Sequence, residues 1–139
     1  MTNNQFFTVR LGTSVKRNRT TSGYQCVDLA KDYLISVKDI YKKFPGLRDW
    51  WAWGNAINWA TPNNESKKCF EFLPPDTNPK PGDLIVLKST DPNGHICVCA
   101  GFYDDKSFIS MDQNMNGVQK CAFYRHPRAS IVKILRWSV

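Results

Sequence analysis

Three side chains in this sequence are of the types that break amide bonds by covalent catalysis: Cys26, His95 and Asp112. Such chemistry needs a thiolate nucleophile, an imidazole that takes its proton and later returns it to the leaving amine, and a polar group that fixes the imidazole's tautomer. Cys26 stands in GYQCVDLAKDYL, where apolar residues recur at Leu29, Ala30, Tyr33, Leu34 and Val37. That spacing is one buried face of an amphipathic helix, with Cys26 in its first turn. There the positive end of the helix dipole and unpaired N–H groups favour a thiolate. The competing reading of Cys26 by itself is a structural thiol packed in the core.

His95 follows the turn Asp91-Pro92-Asn93-Gly94 and opens the strand-like run HICVCAG, while Asp112 closes the run SFISMD. The turn YDDK at 103–106 joins the two runs, so antiparallel pairing can place Asp112 beside His95. Asn114 would face the same side if the strand continued. His126 lies in Tyr-Arg-His-Pro with no acidic partner at strand spacing, and it reads as a surface residue.

The elements that must hold these residues fall into two halves. A helix is expected from Gln25 to about Phe44, stopped by Pro45-Gly46, and a shorter helical segment through DWWAWGNAINWA, ended at Pro62. After the proline-rich LPPDTNPKPGD come strand-like runs at 83–88, 95–101, 107–112, 121–124 and 131–137. Helices followed by strands predict one α+β domain over residues 1–139, its strands in an antiparallel meander. Four tryptophans crowd the second helical segment. At least two are expected in the core, Trp53 among them, and Trp50 and Trp51 cannot both be buried on a single helical face. Trp50, Trp51 and Asn55 are candidates for a substrate groove.

With 139 residues the chain can bury a core without metal or disulfide support. Its net charge of +7 suits an anionic partner or surroundings. The basic residues are scattered, without a dense block or nucleic-acid motif, so they read as a solvated surface. Five cysteines cannot all pair within one chain, and none shows the spacing of zinc ligands. Reduced thiols and synthesis in a reducing cytoplasm are expected. The start lacks the pattern of a secretory signal, and no apolar run reaches membrane-spanning length.

Several motifs resemble the CHAP family, the cysteine- and histidine-dependent amidohydrolase/peptidase module of phage lysins and bacterial wall hydrolases. They are GYQCVDL around Cys26, WGNA at Trp53–Ala56, PKPGDLIVL at Lys80–Leu87, GHICVCAG at Gly94–Gly101 and MDQN at Met111–Asn114, in the family's order. The resemblance implies a papain-like α+β fold, N-terminal helices packed on a C-terminal antiparallel sheet. It implies Cys26 as nucleophile, His95 as general base and acid, and Asp112 as orienting carboxylate. Gln25 and Asn114 become supporting polar residues, Gln25 at the oxyanion hole. The implied substrate is bacterial peptidoglycan, cut as an N-acetylmuramoyl-L-alanine amidase or as an endopeptidase.

Two departures from the family stand out. Glutamate is commoner where this chain has Asp112, and the loop ahead of Cys26, SVKRNRTTSGY, lacks the aspartates with which some phage members bind calcium. Asp28 is therefore expected to cap or orient the helix, with neither calcium nor zinc bound and no cofactor. Neither nucleic-acid binding nor membrane insertion is expected, and the chain should be a monomer unless it belongs to a larger lysin. It would be made in the host cytoplasm without a signal peptide and act on the wall after release, or be virion-associated. The competing readings are an NlpC-type cysteine peptidase, whose third residue is usually a second histidine, and an inert basic wall- or nucleic-acid-binding module.

Overall fold

A computed structural model describes residues 1–17, 23, 25–47 and 53–139; within these, the side chain of residue 102 is left aside. Helix α1 (Asn3–Arg10) opens with a capping box: Gln5 N–H donates to Thr2 Oγ1 at 3.1 Å and Thr2 N–H donates to Gln5 Oε1 at 2.8 Å. The T-x-x-Q spacing at 2–5 is the trace of this helix in the sequence. Helix α2 (Cys26–Ser36) buries Leu29, Ala30, Tyr33 and Leu34 along one face, as their spacing predicts. It ends earlier than expected. Asp39 takes a left-handed conformation (φ 53°) and separates α2 from the short α3 (Ile40–Lys43). The apolar periodicity runs across this break and so hides it.

The expected second helical segment is a 3-10 turn, Ala56–Ala60. Trp53 and Trp59 are buried, their ring centroids 4.9 Å apart, and Trp53 also meets the Phe70 ring. Trp50 and Trp51 lie outside the described residues. After α4 (Ser66–Cys69) comes β1 (Phe70–Leu73), a strand absent from the sequence reading. Then follow β2 (Leu84–Leu87), β3 (His95–Phe102), β4 (Ser107–Asp112), β5 (Ala122–Pro127) and β6 (Ile131–Trp137). β5 runs past the expected 121–124 and takes in His126.

The strands form one antiparallel sheet in the order β1-β6-β2-β3-β4-β5. The meander holds from β2 to β5. β6 then returns to the far edge of β2, where it also pairs with β1. The architecture is the expected α+β arrangement of helices on an antiparallel sheet.

Alternation along the strands divides the core. Leu84, Val86, Ile96, Val98, Met111 and Leu135 join the cluster that contains Leu29, Tyr33 and Leu34 of α2. Ile85, Leu87, Cys97, Cys99, Phe108, Ile131 and Ile134 form a second cluster. Among the described residues, no helix is long and apolar enough to cross a membrane.

The PKPGD motif is a structural joint. Gly82 has φ +91°, and a Cβ there would lie 2.4 Å from the Tyr33 hydroxyl. Its N–H donates to the Cys99 carbonyl at 2.8 Å. Asp83 accepts Lys80 N–H at 2.8 Å and a two-nitrogen contact from Arg136 at 3.0 and 2.8 Å, tying the start of β2 to β6.

Candidate active site

Cys26 is the first residue of α2 and is half-buried. The helix start is held by Asp28, which is fully buried: its Oδ2 accepts Gln25 N–H at 2.9 Å and its Oδ1 accepts Arg17 N–H at 2.9 Å. Both carboxylate oxygens thus serve backbone donors, which is the capping role expected of this residue.

Gln113, a residue with no role expected from the sequence, braces the same point. Its Nε2 donates to the carbonyls of Val15 at 2.7 Å and Gln25 at 2.8 Å, and its Oε1 accepts Val15 N–H at 2.7 Å. A fully buried amide between two loops leaves no periodic trace in a sequence. Its one visible signal was its place beside Asp112.

His95 opens β3 and is 8 % exposed. Gly94 places it: φ is +74°, and a Cβ there would come 3.0 Å from Ile57. Asn93 carbonyl accepts Ile57 N–H at 2.8 Å, and Asn55 Nδ2 donates to Asn93 Oδ1 at 3.0 Å. Asn55 therefore secures the turn ahead of His95, while its backbone bonds to Asn58, its N–H donating to Asn58 Oδ1 at 3.1 Å. His95 Nε2 lies 2.6 Å from Asp112 Oδ2, so the shorter aspartate does reach the ring. Cys26 also acts on the ring, its thiol near enough to raise the imidazole pKa. With Nε2 engaged by Asp112, Nδ1 is the nitrogen left for the thiol. A carboxylate only accepts, so Nε2 carries the proton and Nδ1 of a neutral ring has its lone pair towards sulfur.

Asn114 behaves differently from the expectation that it continues the strand. β4 ends at Asp112, and Asn114 has φ 60°, a left-handed conformation that asparagine tolerates. Its Nδ2 donates to Gln25 Oε1 at 3.2 Å. It thus orients the Gln25 amide, while Asp112 orients His95.

The sequence reading placed His126 on the surface, and this is corrected. His126 is 5 % exposed, and its Nε2 lies 2.8 Å from the same Oδ2 of Asp112. It belongs to β5, opposite Phe108, and β-strand pairing turns it to the side that carries Ser110 and Asp112. Sequence spacing failed because the strand was expected to end at residue 124, whereas β5 runs to Pro127 and sets His126 opposite Phe108. The third side chain at Asp112 is Ser110, whose hydroxyl donates to Oδ1.

Burial is the largest influence on both His95 and Asp112, and in each case it is outweighed. Burial would lower His95, but hydrogen bonds to Asp112 and Cys26 and the charges of both raise it to about 9. Burial would raise Asp112, yet the hydrogen bonds from His126 and His95 and their charges hold it below its usual value. The other four cysteines are buried, and burial raises them: Cys69 and Cys121 to about 11, Cys99 to about 12, Cys97 well above the ordinary value. Cys26 is the thiol with access to solvent.

His95, Asp112 and His126 bring three ligand-type atoms within 4.8 Å of one another, the one such group among the described residues. Two donors on a tetrahedral zinc stand about 3.3 Å apart. The spacings here are 2.6 and 2.8 Å, those of hydrogen bonds. The group as arranged is a proton-sharing cluster, and a cation would require it to spread.

Comparison with known proteins bears on the fold and the family. Solved structures with similar folds include the wild-type endolysin LysIME-EF1, at 23 % identity and TM-score 0.68 over 98 % of this chain. Another is Ly7917, at 16 % identity and TM-score 0.69 over 99 % of this chain. Ly7917 with the hydrolyzing product of MDP gives 15 % and 0.67 over 98 %. The chain spans less than two thirds of each, 64 %, 62 % and 63 % of their lengths respectively. No curated protein sequence matches it. The CHAP domain family model matches residues 15–114, a segment that includes Cys26, His95, Asp112 and Asn114 and stops short of His126. The chain belongs to the CHAP domain family.

Proposed function

We propose that this chain is a peptidoglycan hydrolase of the endolysin type, cleaving an amide bond of the bacterial wall by cysteine–histidine catalysis. The observation that carries the reading is the linked set at one end of the sheet. A solvent-reaching thiol at a helix start acts on His95, whose Nε2 is held by a buried carboxylate. Family membership and the endolysin-like fold support the same substrate class, as does the fold's likeness to a protein solved with the hydrolyzing product of MDP.

Cys26 sulfur attacks the scissile carbonyl carbon while His95 holds the thiol proton. The N–H groups of the first turn of α2, with the Gln25 amide, stabilise the tetrahedral oxyanion. His95 then protonates the departing amine, and afterwards activates a water that hydrolyses the thioester. Asp112 keeps the imidazole in the useful tautomer throughout. Neither metal nor cofactor takes part in this scheme. The protein acts as a monomer on the wall, after release from the host cytoplasm or as part of a virion.

Cys26→Ala should abolish release of soluble fragments from purified peptidoglycan while circular dichroism stays unchanged. Wall clearing at the wild-type rate would overturn the reading. Mass spectrometry of the fragments distinguishes the bond. A new free amino group on glycine or alanine means an endopeptidase, and a stem peptide freed from muramic acid means an amidase.

A further inference from the structure

We propose that His126 is a positioning residue of the active site, holding Asp112 Oδ2 against His95 so that His95 keeps its Nδ1 directed at Cys26. The inference rests on the reading of Cys26, His95 and Asp112 as the catalytic set, and it extends that set beyond the segment matched by the family, which ends at residue 114.

Asp112 is wholly buried. A buried carboxylate is costly unless its lone pairs are met by donors. Ser110 serves Oδ1, and Oδ2 is shared by two imidazoles, His95 at 2.6 Å and His126 at 2.8 Å. Since a carboxylate only accepts, His126 must present Nε2–H. Its ring is fixed in that pose by packing, 5.6 Å from Phe108 and 6.3 Å from Tyr124, at tilts of 37° and 34°.

The histidine rings themselves are 6.2 Å apart and meet through the carboxylate. Around the cluster stand Cys97 and His95 from β3, Ser110 and Asp112 from β4, Tyr124 from β5 and Cys26 from α2. Among the described residues, no Lys or Arg belongs to these groups. The charge of Asp112 therefore depends on the two imidazoles, and His126 is the larger of their hydrogen-bonding influences in keeping it ionised. Loss of the His126 donor leaves one side of Oδ2 unmet, favours protonation of Asp112, and loosens its hold on His95.

The chain contains two histidines, so a long-range 1H–15N correlation spectrum shows two imidazoles and reads each one's tautomer and titration. Three results are expected. In the wild-type protein His126 carries its proton on Nε2 throughout the folded pH range. In His126→Phe, which fills the ring's space without a donor, the His95 midpoint falls from about 9 towards 6.5 by about one unit or more. Alkylation of Cys26 by iodoacetamide at neutral pH slows in parallel. His126→Gln, whose amide can donate from nearly the same place, keeps both close to wild type.

A folded His126→Phe protein whose His95 titrates as in the wild type would overturn the proposal, as would a bare His126 Nε2 in the wild type. If His126→Phe does not fold, the wild-type tautomer and the His126→Gln titration decide: a protonated Nε2 and an unmoved midpoint support it, and either one failing overturns it. None of these readouts contains peptidoglycan. An inactive wild-type protein with the expected spectra would therefore defeat the functional reading and leave this one standing.

Discussion

At the scale of single residues, the decisive feature is that His95 answers to two groups, the Asp112 carboxylate on Nε2 and the Cys26 thiol that raises its pKa. Asp112→Asn keeps the size of the side chain but removes the charge and allows the wrong tautomer. A loss of about 10²–10⁴-fold in kcat is expected, with KM little changed. Steady-state kinetics on a soluble peptidoglycan fragment would measure it.

The pH dependence has a defined sign. His95 is raised from 6.5 to about 9, so the stability it contributes is full below pH 6.5 and disappears as pH rises through about 9. Asp112 is lowered, so its contribution is present above its unfolded value and fades only as pH falls through its lower folded one. Activity that needs protonated His95 should therefore fall on an alkaline limb near pH 9, and that limb should move to lower pH in Asp112→Asn. A pH–rate profile with no alkaline limb below pH 10 would contradict this assignment.

At the scale of elements, the site depends on joints between α2, the loop before it and the start of β3. Gln113 makes three hydrogen bonds to the backbone of Val15 and Gln25. Gln113→Leu keeps the volume and strands those polar groups, so it should cost about 1–3 kcal/mol for each group left buried without a partner. Urea unfolding would show the loss. Labelling of Cys26 at denaturant concentrations where the protein is still folded would show the displaced helix start.

Gly82→Ala puts a methyl group against the Tyr33 hydroxyl at a backbone conformation that L residues avoid. It should destabilise by about 1–3 kcal/mol without altering the pH profile. The Asp32 cluster works in the same way. Arg10 Nε at 2.5 Å and Arg17 Nη2 at 2.7 Å both meet its buried carboxylate, tying α1 and the 13–17 loop to α2.

For the whole molecule, one sheet carries the six strands of the described residues and the core clusters run from α1 to β6, which favours folding as one unit. Thermal unfolding followed by tryptophan fluorescence and by far-ultraviolet circular dichroism should give coincident transitions. Separated transitions would argue for independent parts. The net charge of +7 should draw the protein to an anionic wall, so raising salt from about 0.05 to 0.5 M should weaken binding to purified walls. Salt-independent binding would remove charge as the source of attraction.

The sequence by itself determined much of this. The face of α2 follows from Leu29, Ala30, Tyr33 and Leu34, and the strands 107–112 and 131–137 from their apolar runs and flanking turns. The short separation of His95 and Asp112, one turn apart along a hairpin, made their meeting legible. These are local effects, set by periodicity and turn chemistry within about twenty residues.

What lay beyond local range was decided only by the tertiary structure. β1 is four residues long and gains its hydrogen bonds from β6, more than sixty residues later in the chain. Gln113 found its partners in loops about ninety or more residues earlier, while His126, only fourteen residues from its acid, was hidden because β5 runs past the expected end at residue 124. The cost of burying a polar group is met by whichever donor or acceptor folding brings near, and spacing along the chain does not encode which one that is.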